Sequence, residues 1–590
     1  MSRSTSVTPE LYGCADPNLN PNPPATRHPP PVTLSRPYAP RMRETLPRIV
    51  VVVLLVGIVA LPFGLRAMGL GAKRATDAAA PDVRLVITTP HNEQIRETFA
   101  AAYTAWRASE GLPAIGFDWR ASGGTSDLRK TLLAQYQAKA EAGRVDEGVG
   151  VDLFWGGGDY DHGKVCRGIE VRDAEGKRVP VRVAARPTLP AGLLEAAFPE
   201  QRIGGERLYR VYPFAETNAA GEAVTGEAMW IGVALSSFGI VSNRDVLQML
   251  GVGLPEVWED LADPRLDGWV AMADPGHSGS ITAALHAVVR RQGWAEGWAT
   301  LRRVFANSRY FASDATHVAS DVASGEAASG MAIDFYGRFE VGVAARFAER
   351  FGSPIGDTRA GRLSYVDPVL DGASLTATNA DPITLLRGAP NRREAEVFIA
   401  WLLTREAQAL WQLEAGTDAG PLGVVRHALR RSPARVDVYA GDRSRWTDPG
   451  VNPFEAAEPF PAAMPNFFAM IAPVSHAMAI DIKPELDAAW AALAAAGPDH
   501  PNRAAMWAAF DAMPDDLTLV WPAAALSEGW SSALRDPSDP LHGPASGTIG
   551  AFAERLGGLR GDELIAARKR WTAFFRERYR EVVRLAETAG

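Results

Sequence analysis

The sequence has almost no cysteine. Among 590 residues only Cys14 and Cys166 occur, and a long apolar run separates them, which excludes a disulfide framework and a cysteine-based metal site. The ten histidines are scattered and form no His-Glu-x-x-His pair, so the usual zinc-hydrolase motif is missing as well. One group, Asp159, Asp161 and His162, lies close together along the chain, but such groups more often mark a solvated loop than a metal site.

An excess of positive charge and the common nucleotide-binding motifs are also missing. With 61 Lys and Arg against 69 Asp and Glu, the net charge is −8, which argues against nucleic acid as a partner. No Gly-rich loop continues into Gly-Lys-Ser or Gly-Lys-Thr, and no Gly-x-Gly-x-x-Gly follows a predicted strand. The remaining composition, 47% apolar and 22% charged, is that of a globular protein long enough for two or more domains.

The N-terminal part predicts export. Residues 1–48 are rich in Pro, Ser and Arg and cannot bury a core, so we expect them to be disordered. Residues 49–65 are apolar without a charge and follow several arginines, which predicts a membrane segment. If translation starts at Met42, the same run fits a cleaved signal peptide. We favour an uncleaved anchor, a linker over 66–82, and a body outside the cytoplasm.

Residues 83–240 predict a first α/β lobe. Apolar strands at 83–89, 115–119 and 151–155 alternate with amphipathic helices and with two loops rich in Gly and Ser. This rhythm is typical of a doubly wound α/β sheet, in which ligands lie at the carboxyl ends of the strands. The first loop, 122–126, precedes a helix, so its backbone N–H groups could receive an anion. A plain turn with Thr125 as the helix cap explains that loop equally well.

A stretch at 269–282 predicts the strongest anion-binding candidate. A short apolar strand is followed by Asp-Pro-Gly and then by a helix start that contains Ser278, Gly279 and Ser280. Free N–H groups and hydroxyls at the positive end of a helix suit an acidic ligand. Taken alone, a serine in this position is more often only a helix cap.

The rest of the chain predicts a second lobe and a helical extension. Two apolar strands flank Ser236-Ser237, where we place an interdomain hinge. Residues 241–433 would form the second α/β lobe, with some chain returning to the first. Residues 434–590 read as mainly helical, and the aromatics of the last helix, Asp562 to Thr588, are most simply core residues.

Several motifs in this order resemble one protein family. They are ASGGTSDLRKTL, DLFWGGG, VWEDLADPRLDGWVAMADPGHSGS, VASGEAASGMAIDFYG and RGAPNRREAEVFIAWLLTREAQALW. Together they are similar to the family 1 extracellular solute-binding proteins of ABC-type importers, in the branch that binds ferric iron, thiamine, phosphonates and sugar phosphates. The resemblance implies the two-lobed fold of periplasmic binding proteins (type II-like), no cofactor, no enzymatic activity, a monomer, and permease subunits in the membrane as partners.

The resemblance also implies which residues face the cleft between the lobes. They are Ser122, Gly123, Gly124, Thr125, Gly157, Asp159, Ser236, Ser237, Ser278, Ser280, Asp334 and Tyr336. We therefore predict binding of a small anionic solute, a phosphate, phosphonate or carboxylate compound, by hinge closure. Trp155, Tyr160 or Tyr336 could pack on its organic part, and Arg338 could add a charge-assisted bond unless it is a solvated surface side chain.

Three alternatives stay open at this point. Ferric-iron members of the family carry two adjacent tyrosines, whereas this chain has Phe335-Tyr336, which puts iron in doubt. An anchored ligand sensor would also explain the membrane segment and the long extension. A tethered hydrolase that uses Asp274, His277 and Ser278 fits less well, because sequence neighbours rarely reach triad geometry and no Gly-x-Ser-x-Gly elbow occurs there.

Overall fold

The computed structural model describes residues 83–121, 123–172, 176–217, 223–351, 359–460, 467–518, 552 and 555–588. The predicted tail, membrane segment and linker, residues 1–82, lie outside the described residues, as does Ser122. Within the described ranges, no helix is both long and apolar enough to cross a membrane. The N-terminal anchor therefore stays a prediction.

Two β-sheets carry most of the strands. In chain order the strands are β1 (Arg84–Thr88), β2 (Gly116–Arg120), β3 (Leu153–Trp155), β4 (Ile169–Arg172), β5 (Arg178–Val181), β6 (Ala184–Ala185), β7 (Arg202–Ile203), β8 (Glu206–Arg207), β9 (Tyr209–Thr217), β10 (Ala223–Ser236), β11 (Phe238–Asn243), β12 (Val270–Ala273), β13 (Ser308–Ala312), β14 (Ser329–Ile333), β15 (Leu363–Val366), β16 (Val369–Leu370), β17 (Ala373–Ser374) and β18 (Asn379–Leu386).

Helices cover both sheets and make up the C-terminal part. They are α1 (Glu93–Ser109), α2 (Thr125–Glu141), α3 (Asp159–Arg167), α4 (Leu193–Ala197), α5 (Arg244–Leu250), α6 (Gly279–Gln292), α7 (Trp294–Ala306), α8 (Thr316–Ser324), α9 (Asp334–Phe351), α10 (Arg359–Arg362), α11 (Arg392–Leu402), α12 (Arg405–Ala409), α13 (Pro453–Ala456), α14 (Phe468–Met478), α15 (Lys483–Ala495), α16 (Arg503–Phe510) and α17 (Gly561–Glu587).

The first sheet has the strand order β2-β1-β3-β18-β10-β9, and β6 pairs with β18. Strands β1, β2 and β3 are parallel, as the strand and helix alternation predicts. Strand β18 runs antiparallel to both β3 and β10, so the sheet is mixed. The two Gly-rich loops follow the parallel strands β2 and β3, which places both loops at one edge of the sheet.

The second sheet has the order β13-β12-β14-β11-β15. Strand β12 lies between β13 and β14, is parallel to both and is buried along its whole length, which suits its continuous apolar sequence. The chain passes from β10 of the first sheet to β11 of the second at Ser236–Phe238, and β18 brings it back. The predicted two-lobed α/β architecture with crossing strands is confirmed.

The C-terminal helices α14 to α17, which we call the extension, pack on the second lobe, with α14 against α6 and α15 against α7. The long helix α17 buries a stripe that includes Trp571, Phe575 and Tyr579, so these aromatics are core residues. The guanidinium of buried Arg302 in α7 donates to the carbonyls of Phe510 and Ala512. Separating the extension from the second lobe would leave this buried guanidinium without its acceptors, which is costly. The two bonds therefore hold the extension on the second lobe.

Candidate functional site

A cleft lies between the two sheets, at the ends of β1, β3, β12 and β14. Most of the residues predicted to bind a ligand line it: Gly123, Gly124, Thr125, Gly157, Asp159, Ser236, Ser278, Ser280 and Tyr336. The empty space among the lining atoms, with the open mouth of the cleft included, is about 1150 Å³.

Helices α2, α3 and α6 are among the described helices that begin at this cleft. Helix α2 starts after Gly124 and α3 after Gly158, and neither start has a side-chain cap. Helix α6 starts after Ser278, whose Oγ accepts a hydrogen bond from the N–H of Ile281 (3.2 Å) and lies 3.1 Å from the Oγ of Ser280. The first N–H groups of each helix have no partner within the helix, and the three dipoles add positive potential. The cleft is therefore suited to an anion.

The two lobes touch directly at the rim of the cleft. A Cβ atom added to Gly124 would lie 2.5 Å from the carbonyl oxygen of His277, so the first lobe approaches the backbone of the second at this glycine. The imidazole Nδ1 of His277 is 3.2 Å from a carboxylate oxygen of Asp127. The ammonium of Lys130 donates to the carbonyl of Gly276 (3.4 Å). These contacts describe a closed cleft.

Buried charged residues form the floor of the cleft. The guanidinium of Arg431 pairs with Asp381 and donates to the Oγ of Ser236 (2.6 Å), and His91 Nε2 lies 3.0 Å from Asp381. Burial lowers the pKa of His91, while Arg431 and His91 overcome the burial of Asp381 and hold its pKa below the usual value. Within the described part of the chain, Arg431 Nε, Asp381 Oδ1 and His91 Nδ1 are buried without a hydrogen-bond partner.

Sequence reasoning missed this floor, although one signal was present. Asp381 is a charged residue in the strand NADPITLL, which is otherwise almost apolar, and a buried charge needs a partner. Arg431 and His91, the partners, are far from Asp381 in the sequence and belong to no motif.

Charges of both signs lie along one side of the cleft. Arg290 of α6 donates to Glu206 (3.1 Å) across the two lobes. Burial and the nearby Glu206 raise the pKa of Asp159 to about 6. A ligand on this side would meet a carboxyl group that releases its proton only near neutral pH.

The raised pKa of Asp159 can be tested by replacing this residue with Asn and comparing the stabilities of the two proteins at two pH values. Because the folded-state pKa is raised, the ionised carboxylate is penalised in the folded protein above about pH 6, and this penalty shrinks as the pH falls and disappears well below pH 4, where the group is protonated in both states. Asp159→Asn should therefore stabilise the protein relative to wild type at pH 7 and much less at pH 4, as measured by urea unfolding. An equal stability difference at the two pH values would contradict the assignment.

The structure does not place Ser237 and Asp334 in the cleft. Ser237 donates to Asp367 (2.8 Å) behind it. Asp334 is buried there too, 3.8 Å from the guanidinium of Arg338. Burial raises the pKa of Asp334 to about 6. Arg338 is itself buried and pairs with Asp367 (2.6 Å), so neither the ligand contact nor the solvated surface position proposed for it is found.

Trp155, expected to pack on a ligand, is completely buried in the core. Its ring contacts His91 edge to face, with the ring centroids 4.8 Å apart. Tyr160 and Tyr336, the other two candidates, do line the cleft. Trp155 thus supports the floor through His91.

Among the described residues, the side chains named for the hydrolase and metal alternatives have other partners. His277 Nε2 is 4.0 Å from Asp274, and its other nitrogen faces Asp127, while Ser278 bonds Ile281 and Ser280 instead of the imidazole. Asp161 accepts from Arg129 (2.5 Å), and His162 bonds Thr384 (2.7 Å). In the portion of the chain that the structure describes, no group of three or more His, Cys, Asp or Glu is placed to hold a metal ion.

Comparison with known proteins matches part of the chain to one family. The family model described as bacterial extracellular solute-binding protein matches residues 215–435, which confirms the resemblance seen in the motifs. The chain is similar to the phosphoglycerate transport regulatory protein of Salmonella typhimurium, 31% identical over 106 residues, which are 18% of this chain and 27% of that protein. An uncharacterized protein of Haemophilus influenzae is 30% identical over 183 residues, 30% of this chain and 46% of that one. The chain thus spans less than half the length of these relatives.

Two solved structures are also similar. One is a periplasmic binding protein from Actinobacillus pleuropneumoniae with fructose-6-phosphate bound, 16% identical, with a TM-score of 0.42 over 69% of this chain and 98% of that chain. The other is a ferric binding protein from Campylobacter jejuni, 16% identical, with a TM-score of 0.39 over 63% of this chain and 94% of that chain.

Proposed function

We propose that this chain, which resembles the bacterial extracellular solute-binding proteins, is the extracytoplasmic solute-binding component of an ABC importer and captures a small anionic solute. The observation that carries the proposal is the convergence of three helix starts and the buried Arg431 on one interlobe cleft. Permease subunits in the membrane are its proposed partners, and an N-terminal segment its proposed anchor.

Each part of the cleft has a role in this proposal. The helix starts at Thr125 and Gly279 come from different lobes, so an anion held by both stabilises the closed state over an open one. Arg431 lies beneath them and lowers the cost of burying a negative charge. The crossing strands at Ser236–Phe238 serve as the hinge.

Titration calorimetry of the full chain tests the proposal. The panel is inorganic phosphate, methylphosphonate, phenyl phosphate, fructose 6-phosphate, acetate and ferric citrate. We expect heat from at least one phosphate, phosphonate or carboxylate. Binding of ferric citrate alone would favour the iron alternative, and no heat from any of them would overturn the proposal.

Removing two hydroxyls from the start of α6 should lower the affinity for the anion far more than it lowers the stability of the protein. In Ser278→Ala with Ser280→Ala the lost cap accounts for only about 1 kcal/mol of stability. The anion loses the hydroxyl donors of this helix start, and we expect its affinity to fall about tenfold or more. The same calorimetric titration and a urea unfolding curve measure the two effects. A loss of stability without a loss of affinity would reduce Ser278 to a simple cap.

A further inference from the structure

The extension reaches the ligand cleft. Phe460, which precedes its first helix, and Phe468, which begins α14, both line the cleft together with residues of the two lobes. We call these two side chains the extension wall. A segment that only braced the outside of the second lobe would have no reason to present aromatic rings to the cleft.

Phe460 is held in place by two arginines of the second lobe. The guanidinium groups of Arg290 and Arg291 lie 3.9 and 4.3 Å from the centroid of its ring. Arg291 also donates to the carbonyls of Glu458 (2.8 Å) and Pro459 (2.9 Å). The ring of Phe460 and the backbone before it are therefore fixed to α6. Cation–π contacts of this kind are stronger where water is excluded.

Phe468 connects the extension to both lobes. Its ring stacks on Tyr160 of the first lobe, with the ring centroids 4.4 Å apart. The N–H of the preceding Phe467 donates to Nε2 of His286 in the second lobe (3.2 Å). Burial keeps the pKa of His286 well below its usual value, so the ring is neutral. With Nε2 acting as an acceptor, its proton lies on Nδ1, which leaves a donor on a residue that lines the cleft.

We propose that the extension wall selects the organic part of the solute, so that the cleft takes an organic anion with an apolar, preferably planar, body rather than a bare inorganic anion. This inference rests on the proposed function. The helix starts and Arg431 would receive the acidic group, as above. Phe460 and Phe468, with Tyr160 beside them, would pack against the carbon skeleton.

The physical basis is that polar donors and apolar aromatic surface lie in different parts of one cleft. The acidic group of the solute needs N–H and hydroxyl donors, whereas apolar surface gains free energy by leaving water for an aromatic contact. Arg290, whose guanidinium lies on the ring of Phe460, is also paired with Glu206. Inorganic phosphate would use only the N–H and hydroxyl donors and would leave the extension wall in contact with water.

Titration calorimetry with inorganic phosphate and phenyl phosphate tests the inference in the full chain. Wild type should bind phenyl phosphate at least about tenfold more tightly, which is the size expected for one or two aromatic contacts. Phe460→Ala and Phe468→Ala should remove most of that preference and leave the affinity for inorganic phosphate within about twofold. Phe468→Leu keeps the apolar volume and serves as the variant that preserves folding.

Phe574→Ala is the matched control, because Phe574 is a partly buried aromatic of α17 that does not line the cleft. It should keep the wild-type preference. Equal affinities of wild type for the two probes, or a preference that survives in both wall variants, would overturn the inference while the proposed function stands. Binding of other anions in the panel but of neither phosphate probe would overturn it in the same way. No binding of any anion would overturn both.

Discussion

Arg431→Met is expected to weaken binding of the anionic solute by about 100-fold or more and to lower the free energy of unfolding by about 3–5 kcal/mol. The guanidinium is buried, pairs with Asp381 and donates to Ser236. Methionine keeps most of the volume but removes the charge and all donors, so the buried Asp381 loses its guanidinium partner and keeps only the contact with His91. Calorimetry of the phosphate probes and urea unfolding measure the two losses.

A double variant separates the two effects of Arg431. Adding Asp381→Asn to Arg431→Met removes the stranded carboxylate, so stability should return toward wild type. Affinity should stay low, because the positive charge beneath the anion is still missing. If the double variant recovered affinity together with stability, Arg431 would matter only for folding. If the single variant bound as tightly as wild type, the floor would have no part in ligand binding.

Gly124→Ala is expected to weaken binding by about 10-fold to 100-fold while leaving each lobe folded. Gly124 has φ −75°, a conformation that alanine adopts freely, so the substitution introduces no backbone strain. The new methyl group would lie 2.5 Å from the carbonyl oxygen of His277 in the other lobe. The clash exists only in the closed cleft, so the variant favours the open state.

Gly497→Ala is the matched control for Gly124→Ala. A Cβ at Gly497 meets no atom within 4 Å, and this variant should bind as wild type does. The melting temperature of Gly124→Ala without ligand should stay close to that of wild type. A Gly124→Ala protein with undiminished affinity would show that the two lobes do not have to meet at this glycine for binding.

Much of the fold could be predicted because its signals are local. The strand over 270–273 reads as a continuous apolar run, and the apolar spacing after Ser278 marks a helix with its cap. In parallel α/β sheets the loops at the carboxyl ends of strands meet at one edge. That rule placed the loops of Gly124 and Gly157 at one edge of the first sheet, whereas the family resemblance implied that Ser278 faces the same cleft.

The orientation of neighbouring polar residues could not be predicted in the same way. Successive side chains of extended backbone point in opposite directions, and the sequence does not tell which of Ser236 and Ser237 faces the ligand. In the structure Ser236 meets Arg431 at the floor, while Ser237 meets Asp367 behind it. Asp334 faces Arg338, four residues later on the same helix, and Arg338 in turn pairs with Asp367, which only tertiary packing brings near.

The floor and the extension wall depend on long-range contacts. His91 and Arg431 lie about 340 residues apart, with their side-chain nitrogens 3.2 Å from each other, and no periodicity reports such a pair. In the sequence, Phe468 is indistinguishable from the other apolar residues of the helical extension. Only its position against Tyr160 of the first lobe distinguishes it from the core aromatics of α17.

The distance between the two lobes with and without an anion tests the central claim most directly. Spin labels at Glu141→Cys in α2 and Met249→Cys in α5, both exposed, with Cys14→Ser and the buried Cys166 left in place, report lobe separation by pulsed electron paramagnetic resonance. Phenyl phosphate and inorganic phosphate should shift the distances toward the closed cleft, and Gly124→Ala should oppose that shift. A distance distribution that neither probe changes at saturating concentration would contradict ligand capture by closure of the two lobes.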